Sequence, residues 1–474
     1  MCRIIFPEIS SYIWNKKRTG ERTHYFRRPS LRVRGVLSVL MIAAAMILGS
    51  CGSTKSPVGR AKSADSIREI LDGFGKRPAK AVKDTENQDM MLTAGINNDI
   101  RSAVASDAVS ANKLTDGDPE GTKLTLWTYS DTHVNYYRKM LKKWNDEDPD
   151  YTLEITFEVK PYEELHTSFV ECLKKGKDIP DICDIDAYRF TEICGSYSDE
   201  LYPLDVAVAP YVYDIHQARM DVYKGKDEKR YAVPFRMGAA VQYWNMELLE
   251  EAGITQKEVD AVKTWADYKA LGEEFKSSPG QSSKYFAVVN PEEPVWPMLA
   301  LAEYSEDQEN AGSATANMSK EYTDWIDTGI AKSSDDTVSD IASGNVASYT
   351  GSLAFMDRFV QDMHDMSGKW YITKCPVFED GQPCSVCLDD IPSVISAKSP
   401  AAALAADYIC YAKMYPDNAK SSLWPDLSYD VCNKSLWENE DFTHDVTNEY
   451  DTFFRNYPYD VLNEIKDRIA TVKP

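Results

Sequence analysis

The sequence predicts an α/β fold divided into two lobes. From Lys123 onward, alternating β-rich runs and stretches with helical spacing of apolar residues follow one another as strand, helix, strand, helix, strand. That order builds a parallel sheet covered by helices. The chain has 474 residues, 43% of them hydrophobic and 11% aromatic, which supplies a large interior and more chain than one core holds. Residues 52–121, rich in Ser, Ala, Lys, Asp and Asn, read instead as a flexible tether.

The elements follow in order. Residues 123–129 alternate as a strand. In 134–145, Tyr137, Leu141 and Trp144 fall on one helical face. Residues 151–159 alternate again, 162–175 return to helix, and 179–185 supply a third strand. Ligands of such sheets sit at the carboxyl ends of strands, here residues 127–130 and 184–188.

The N-terminus predicts export. Arg27, Arg28, Arg32 and Arg34 precede an apolar run over 36–48, which is shorter than the roughly 20 residues of a spanning helix. Leu48-Gly49-Ser50-Cys51 completes a lipobox. The arrangement resembles the bacterial lipoprotein signal, which implies diacylation of Cys51, its exposure as the first mature residue, and anchoring on the outer face of the cell membrane. Removing residues 1–51 takes the net charge from -22 to about -29. So acidic a surface argues against nucleic acid and against electrostatic adhesion to anionic lipid. The eight cysteines beyond Cys51 are expected mostly as free, buried thiols, since a domain this large needs no staples.

Residues 230–254 hold Tyr231-Ala-Val-Pro234, Tyr243-Trp-Asn245 and Leu248-Leu-Glu-Glu-Ala-Gly253, followed by Thr264-Trp-Ala-Asp-Tyr268. In order and spacing this set resembles the family 1 extracellular solute-binding proteins, the carbohydrate receptors of ABC importers. Asp340-Ile-Ala-Ser-Gly-Asn-Val-Ala and Ile391-Pro-Ser-Val-Ile fit the same family. The resemblance implies a two-lobe, periplasmic-binding-protein-like fold of type II, with discontinuous lobes joined by a hinge: 122–236 with 371–415, and 237–370 with 416–474. It also implies a monomer that takes up an oligosaccharide between the lobes and delivers it to ABC permease subunits.

Sugars are held by flat aromatic faces and planar polar groups, which sets the candidate residues. Tyr129, Ser130 and Asp131 end the first strand, and Asp184 and Asp186 end the third. Arg236 stands at the inferred first crossover, where a guanidinium forks onto hydroxyls or a carboxylate. Tyr243 follows on the next strand, and Trp296 is flanked by prolines. Gly351, Ser352 and Phe355 match the family's ligand-facing turn, although Leu353 replaces its usual tryptophan. Asp389 and Asp390 make the pocket acidic, favouring a neutral or cationic polyhydroxylated ligand. Trp424 is a candidate platform of the second lobe.

No enzyme is expected, because no Ser/His/Asp arrangement or phosphate-cradling loop is legible and 75 acidic residues make carboxylate pairs uninformative. Neither a cofactor nor a metal is expected. Cys384-Ser-Val-Cys387 lacks a second pair, and Asp146-x-Asp148-x-Asp150 lacks the Gly and Glu of a calcium loop. Two alternatives keep part of this reading: a receptor of the same fold for a non-sugar solute, and a surface adhesion or sensor protein without a permease.

Overall fold

A computed structural model describes residues 121–147, 151–291, 293, 295–303, 308–422 and 429–473. Cys51, the tether and Trp424 lie outside them. Two five-stranded sheets organise the chain. The first has the order β2-β1-β3-β11-β4, from β1 (Thr122–Thr128), β2 (Leu153–Val159), β3 (Ile182–Asp184), β4 (Ala232–Val233) and β11 (Ser393–Ile395). β1 pairs in parallel with β2 and β3, as the alternation requires, while β11 returns antiparallel between β3 and β4.

Helices Asp131–Glu147 and Tyr162–Lys175 connect the parallel strands. The second is amphipathic: Leu165, Phe169 and Leu173 recur every fourth residue on its buried face. Gly176 ends it in the left-handed conformation, its N–H satisfying the carbonyls of Cys172 and Leu173. The helix Ala402–Met414 is buried almost all round, which explains its Ala-rich sequence.

The second sheet runs β7-β6-β8-β5-β9, from β5 (Ala240–Asn245), β6 (Tyr285–Val289), β7 (Ala331–Ser333), β8 (Val346–Ser352) and β9 (Trp370–Thr373). β9 pairs with β5 throughout, and Cys375 and Val386 still pack in the second-lobe cluster, so the chain stays with the second lobe well past residue 371. β5 is buried at every position because both faces of its sheet are covered. Tyr243 accordingly enters one core cluster with the first lobe, and its neighbour Trp244 enters the second-lobe cluster.

The chain crosses between lobes at residues 234–239 and again at 387–392, after β10 (Ser385–Val386). The crossings touch, with Ala239 bridging Cys387 and Leu388 N donating to Gly238 O at 2.7 Å. The C-terminal segment, which the sequence assigned to the second lobe, binds both sides. His216 N donates to Cys432 O, and Arg455 N donates to Trp370 O.

Candidate functional site

At the end of β3 two carboxylates that look alike in sequence part company, because Asp184 is the last residue of the strand and Asp186 is already the cap of the next helix. Asp184 is fully buried and accepts from Tyr137 Oη at 2.8 Å, Ser393 Oγ at 2.5 Å, Lys413 Nζ at 3.4 Å and His133 Nδ1 at 3.2 Å. Burial opposes its ionisation, but Lys413, His133 and Ser393 hold the carboxyl well below its ordinary range. Burial also lowers the pKa of His133. The expectation that Asp184 meets ligand is therefore corrected: its oxygens are spent inside the lobe.

Two residues on, Asp186 is half-buried. It caps the helix Ala187–Tyr197 by accepting from Tyr188 N at 2.8 Å. Its own N–H donates to His166 Nε2 at 2.9 Å. Burial, with a contribution from Asp389, raises its pKa to about 6. Tyr129, just past β1, meets Tyr162 edge-on at 5.2 Å and His166 at 5.6 Å. Ser130 accepts from His133 N at 3.3 Å and so caps the helix that Asp131 begins. Tyr188 packs against the second-lobe cluster, which includes Leu388 of the crossing.

The crossings supply the charged centre. Asp390 is 2% exposed and saturated. Its Oδ1 accepts from the amides of Phe235 (3.0 Å), Arg236 (2.9 Å) and Ile391 (2.7 Å), and Oδ2 from Tyr223 Oη (2.8 Å). The expectation that it reaches ligand is corrected, since its capacity goes to fixing the crossing strands. Its neighbour Asp389 is half-buried, and its Oδ1 has no hydrogen-bond partner among the described residues.

Arg236 is 6% exposed. Its Nε has no partner among the described residues, and its ion pair with Asp357, Nη1 to Oδ2, is 3.8 Å long. Burial works against its charge, but Asp389, Asp357, Asp390 and Asp430 more than offset that and raise its pKa.

The second lobe faces this centre with Glu293, Tyr349 and Phe355. Tyr349 Oη donates to Glu293 Oε2 at 3.3 Å, and Thr337 Oγ1 donates to Oε1 at 3.4 Å. Burial lifts Glu293 to about 7, with Asp389 adding to the rise. The Phe355 ring lies 4.6 Å from that of Tyr349. A side chain on Gly351 would strike the Tyr349 ring at 2.5 Å, so this glycine makes room for the aromatic and is not itself a contact surface.

Three further expectations are corrected. Tyr243 is fully buried, its hydroxyl donating to the carbonyls of Ser352 (2.9 Å) and Leu353 (3.1 Å). Ser352 is 8% exposed, and its Oγ accepts from Ala354 N to cap a short 3-10 turn. Trp296 sits on the helix Val295–Glu303 and is 2% exposed, with Trp265 at 4.8 Å and Trp325 at 5.6 Å. It is interior to the second lobe because the helix turns its apolar side inward. All eight described cysteines are free thiols, seven of them buried.

The residues gathered around the crossings are thus Tyr129, Asp186, Arg236, Phe355 and Asp389 from the sequence reading, with Tyr162, Tyr188, Glu293 and Tyr349 added. Tyr349 precedes Gly351 by two on β8, and that period was the available signal for it. Tyr188 lies in the first turn of the helix that Asp186 caps, where no strand period applies. Glu293 lies in a loop whose neighbours the sequence does not place.

The bacterial extracellular solute-binding protein family matches residues 139–449. Two arabinooligosaccharide-binding proteins are similar along most of their length. That of Halalkalibacterium halodurans is 27% identical over 374 residues, 75% of this chain and 81% of the relative. That of Bacillus subtilis is 25% identical over 379 residues, 74% of this chain and 82% of the relative. The cyclic alpha-maltosyl-1,6-maltose binding protein of Arthrobacter globiformis shares the fold at a TM-score of 0.58 and 16% identity, over 74% of this chain and 88% of that one. The two-lobe architecture is that of this binding-protein fold, and the chain belongs to the bacterial extracellular solute-binding proteins.

Proposed function

We propose that this protein captures an oligosaccharide between its lobes and delivers it to the permease of an ABC importer. The observation that carries the reading is Arg236, a guanidinium 94% removed from solvent with an unpartnered Nε and an ion pair stretched to 3.8 Å. A buried donor left unmade costs about 1–3 kcal/mol, and vicinal hydroxyls would supply what the protein does not. Tyr129, Tyr162, Tyr188 and Phe355 offer faces for the apolar side of a sugar ring. The relatives named for arabinooligosaccharides point to a pentose oligomer. Closure follows from a ligand that contacts both lobes only when they approach. The chain is proposed to work as a monomer, without catalysis or cofactor, held to the outer face of the cell membrane by acyl chains on Cys51.

The experiment is a thermal-shift and calorimetric screen of the full chain against arabinooligosaccharides, other saccharides, amino acids and polyamines. A saccharide at 100 times its Kd adds about 2.7 kcal/mol of stability. That rise, lost in Arg236→Ala, supports the reading. The carboxylates of Asp186, Glu293 and Asp389 favour a second reading, a cationic solute on the same fold; a rise with polyamines alone would replace the first reading by it. Labelling with radioactive palmitate, abolished in Cys51→Ala, tests the anchor.

A further inference from the structure

At the crossings lies a hydrogen-bonded unit of three buried side chains, Arg219, Tyr223 and Asp390. Arg219, on the helix Gln217–Val222, is fully buried. Its guanidinium donates to Met237 O through Nε at 3.0 Å and through Nη2, to Asp389 O at 3.2 Å, and to Tyr223 Oη at 3.2 Å. Tyr223 Oη in turn donates to Asp390 Oδ2 at 2.8 Å, and Asp390 Oδ1 accepts from the amides of Phe235, Arg236 and Ile391. A cation and a carboxylate that share no direct bond are thereby joined through one phenol, each polarising the next bond in the chain.

Between them the three side chains fasten residues 235–237 to residues 389–391. Those are the segments that carry Arg236 and Asp389. Gly238 shows how tightly the two are drawn. It adopts φ +58, and a Cβ there would fall 2.2 Å from Asp389 O and 2.7 Å from Arg219 Nη2, so only glycine fits. Its N–H goes to Asp430 Oδ2 at 2.7 Å, bringing the C-terminal segment onto the same knot.

We propose that Arg219, Tyr223 and Asp390 are positioning residues for the binding cleft: they hold the two crossing strands in one register, so that the Arg236 guanidinium and the Asp389 carboxylate are set for ligand before it arrives. This rests on the cleft being the binding site. The physical gain is preorganisation, since groups already in place lose little freedom on binding and release ligand slowly. Arg219 is suited to the task because a planar guanidinium holds its donors in a fixed fork that reaches Met237, Asp389 and Tyr223 together, whereas an ammonium is a compact charge on a flexible stem.

The test uses the full chain with Tyr223→Phe, which deletes one oxygen, and Arg219→Lys, which keeps the charge. Hydrogen exchange of the unliganded protein is expected to quicken at least tenfold at the amides of Phe235, Arg236 and Ile391, with the strands of both sheets unchanged. Arabinotriose is expected to dissociate about tenfold faster from either variant at a nearly unchanged association rate. Wild-type exchange at those amides in both variants would overturn the proposal. So would exchange that quickens uniformly through the first lobe, which marks ordinary destabilisation. Should arabinotriose not bind the wild type, the saccharide reading fails, while exchange at the three amides still decides the fastener.

Discussion

Two polar groups, one at the end of β3 and one on the crossings, differ in satisfaction more than in composition. Below the sheet end, Asp184 is enclosed by His133, Tyr137, Ser393 and Lys413, all within hydrogen-bond reach. Above it, Arg236 and Asp389 have buried atoms without partners among the described residues. A carboxylate and a cation occur in both places. The first group is closed on itself and holds the lobe together, whereas the second has bonding capacity left over, which is what a ligand needs. The difference teaches that a residue type at a strand end does not identify a site until its partners are counted.

That contrast can be broken by substitution. Asp184→Ala should cost about 3–5 kcal/mol, because it strands the buried Lys413 cation, and chemical denaturation would read the loss directly. A cost below about 1 kcal/mol would mean the network is not closed as described. Trp296→Ala should cost about as much, about 3–5 kcal/mol, through a cavity beside Trp265 and Trp325. Saccharide affinity measured by calorimetry should change by less than threefold in that variant, and a larger loss would return Trp296 to the cleft.

Arg236→Ala inverts the pattern. About a hundredfold in affinity should vanish, while the unliganded protein loses less stability than Asp184→Ala costs, since the ion pair of Arg236 with Asp357 is stretched to 3.8 Å. Equal losses of stability and affinity would place Arg236 with Asp184 as a structural group.

The smallest effect is a pH dependence. Glu293 titrates near 7 in the folded protein and near 4.3 when unfolded, so the folded state binds its proton more tightly. Its contribution to stability is therefore complete below about pH 4 and is lost as pH rises towards 7. Glu293→Gln should flatten this part of the stability profile by about 2 kcal/mol, allowing for partial exposure. His166, held neutral by burial with its pKa lowered to about 4, has the opposite slope, losing stability as pH falls from 6.5. A His166→Gln background separates the two.

The sequence by itself determined the local order of the first lobe. Alternation over 153–159 and helical spacing over 162–175 are properties of neighbouring residues, so strand and helix were legible. The resemblance carried by the Val-Pro and Tyr-Trp-Asn motifs implied a lobe boundary after residue 236. Only the tertiary structure decided which polar residues face the cleft. Asp389 and Asp390 are adjacent and chemically identical, yet one accepts the amides of Phe235 and Arg236 and the phenol of Tyr223 from distant segments, besides that of Ile391, while the other keeps a buried oxygen without a partner among the described residues. Tyr243 and Trp244 both vanish inside because their sheet is covered on two faces, and Trp296 does so because its helix packs on Trp265 and Trp325. Burial and satisfaction depend on what lies across space, and a period of two or of 3.6 carries no information about that.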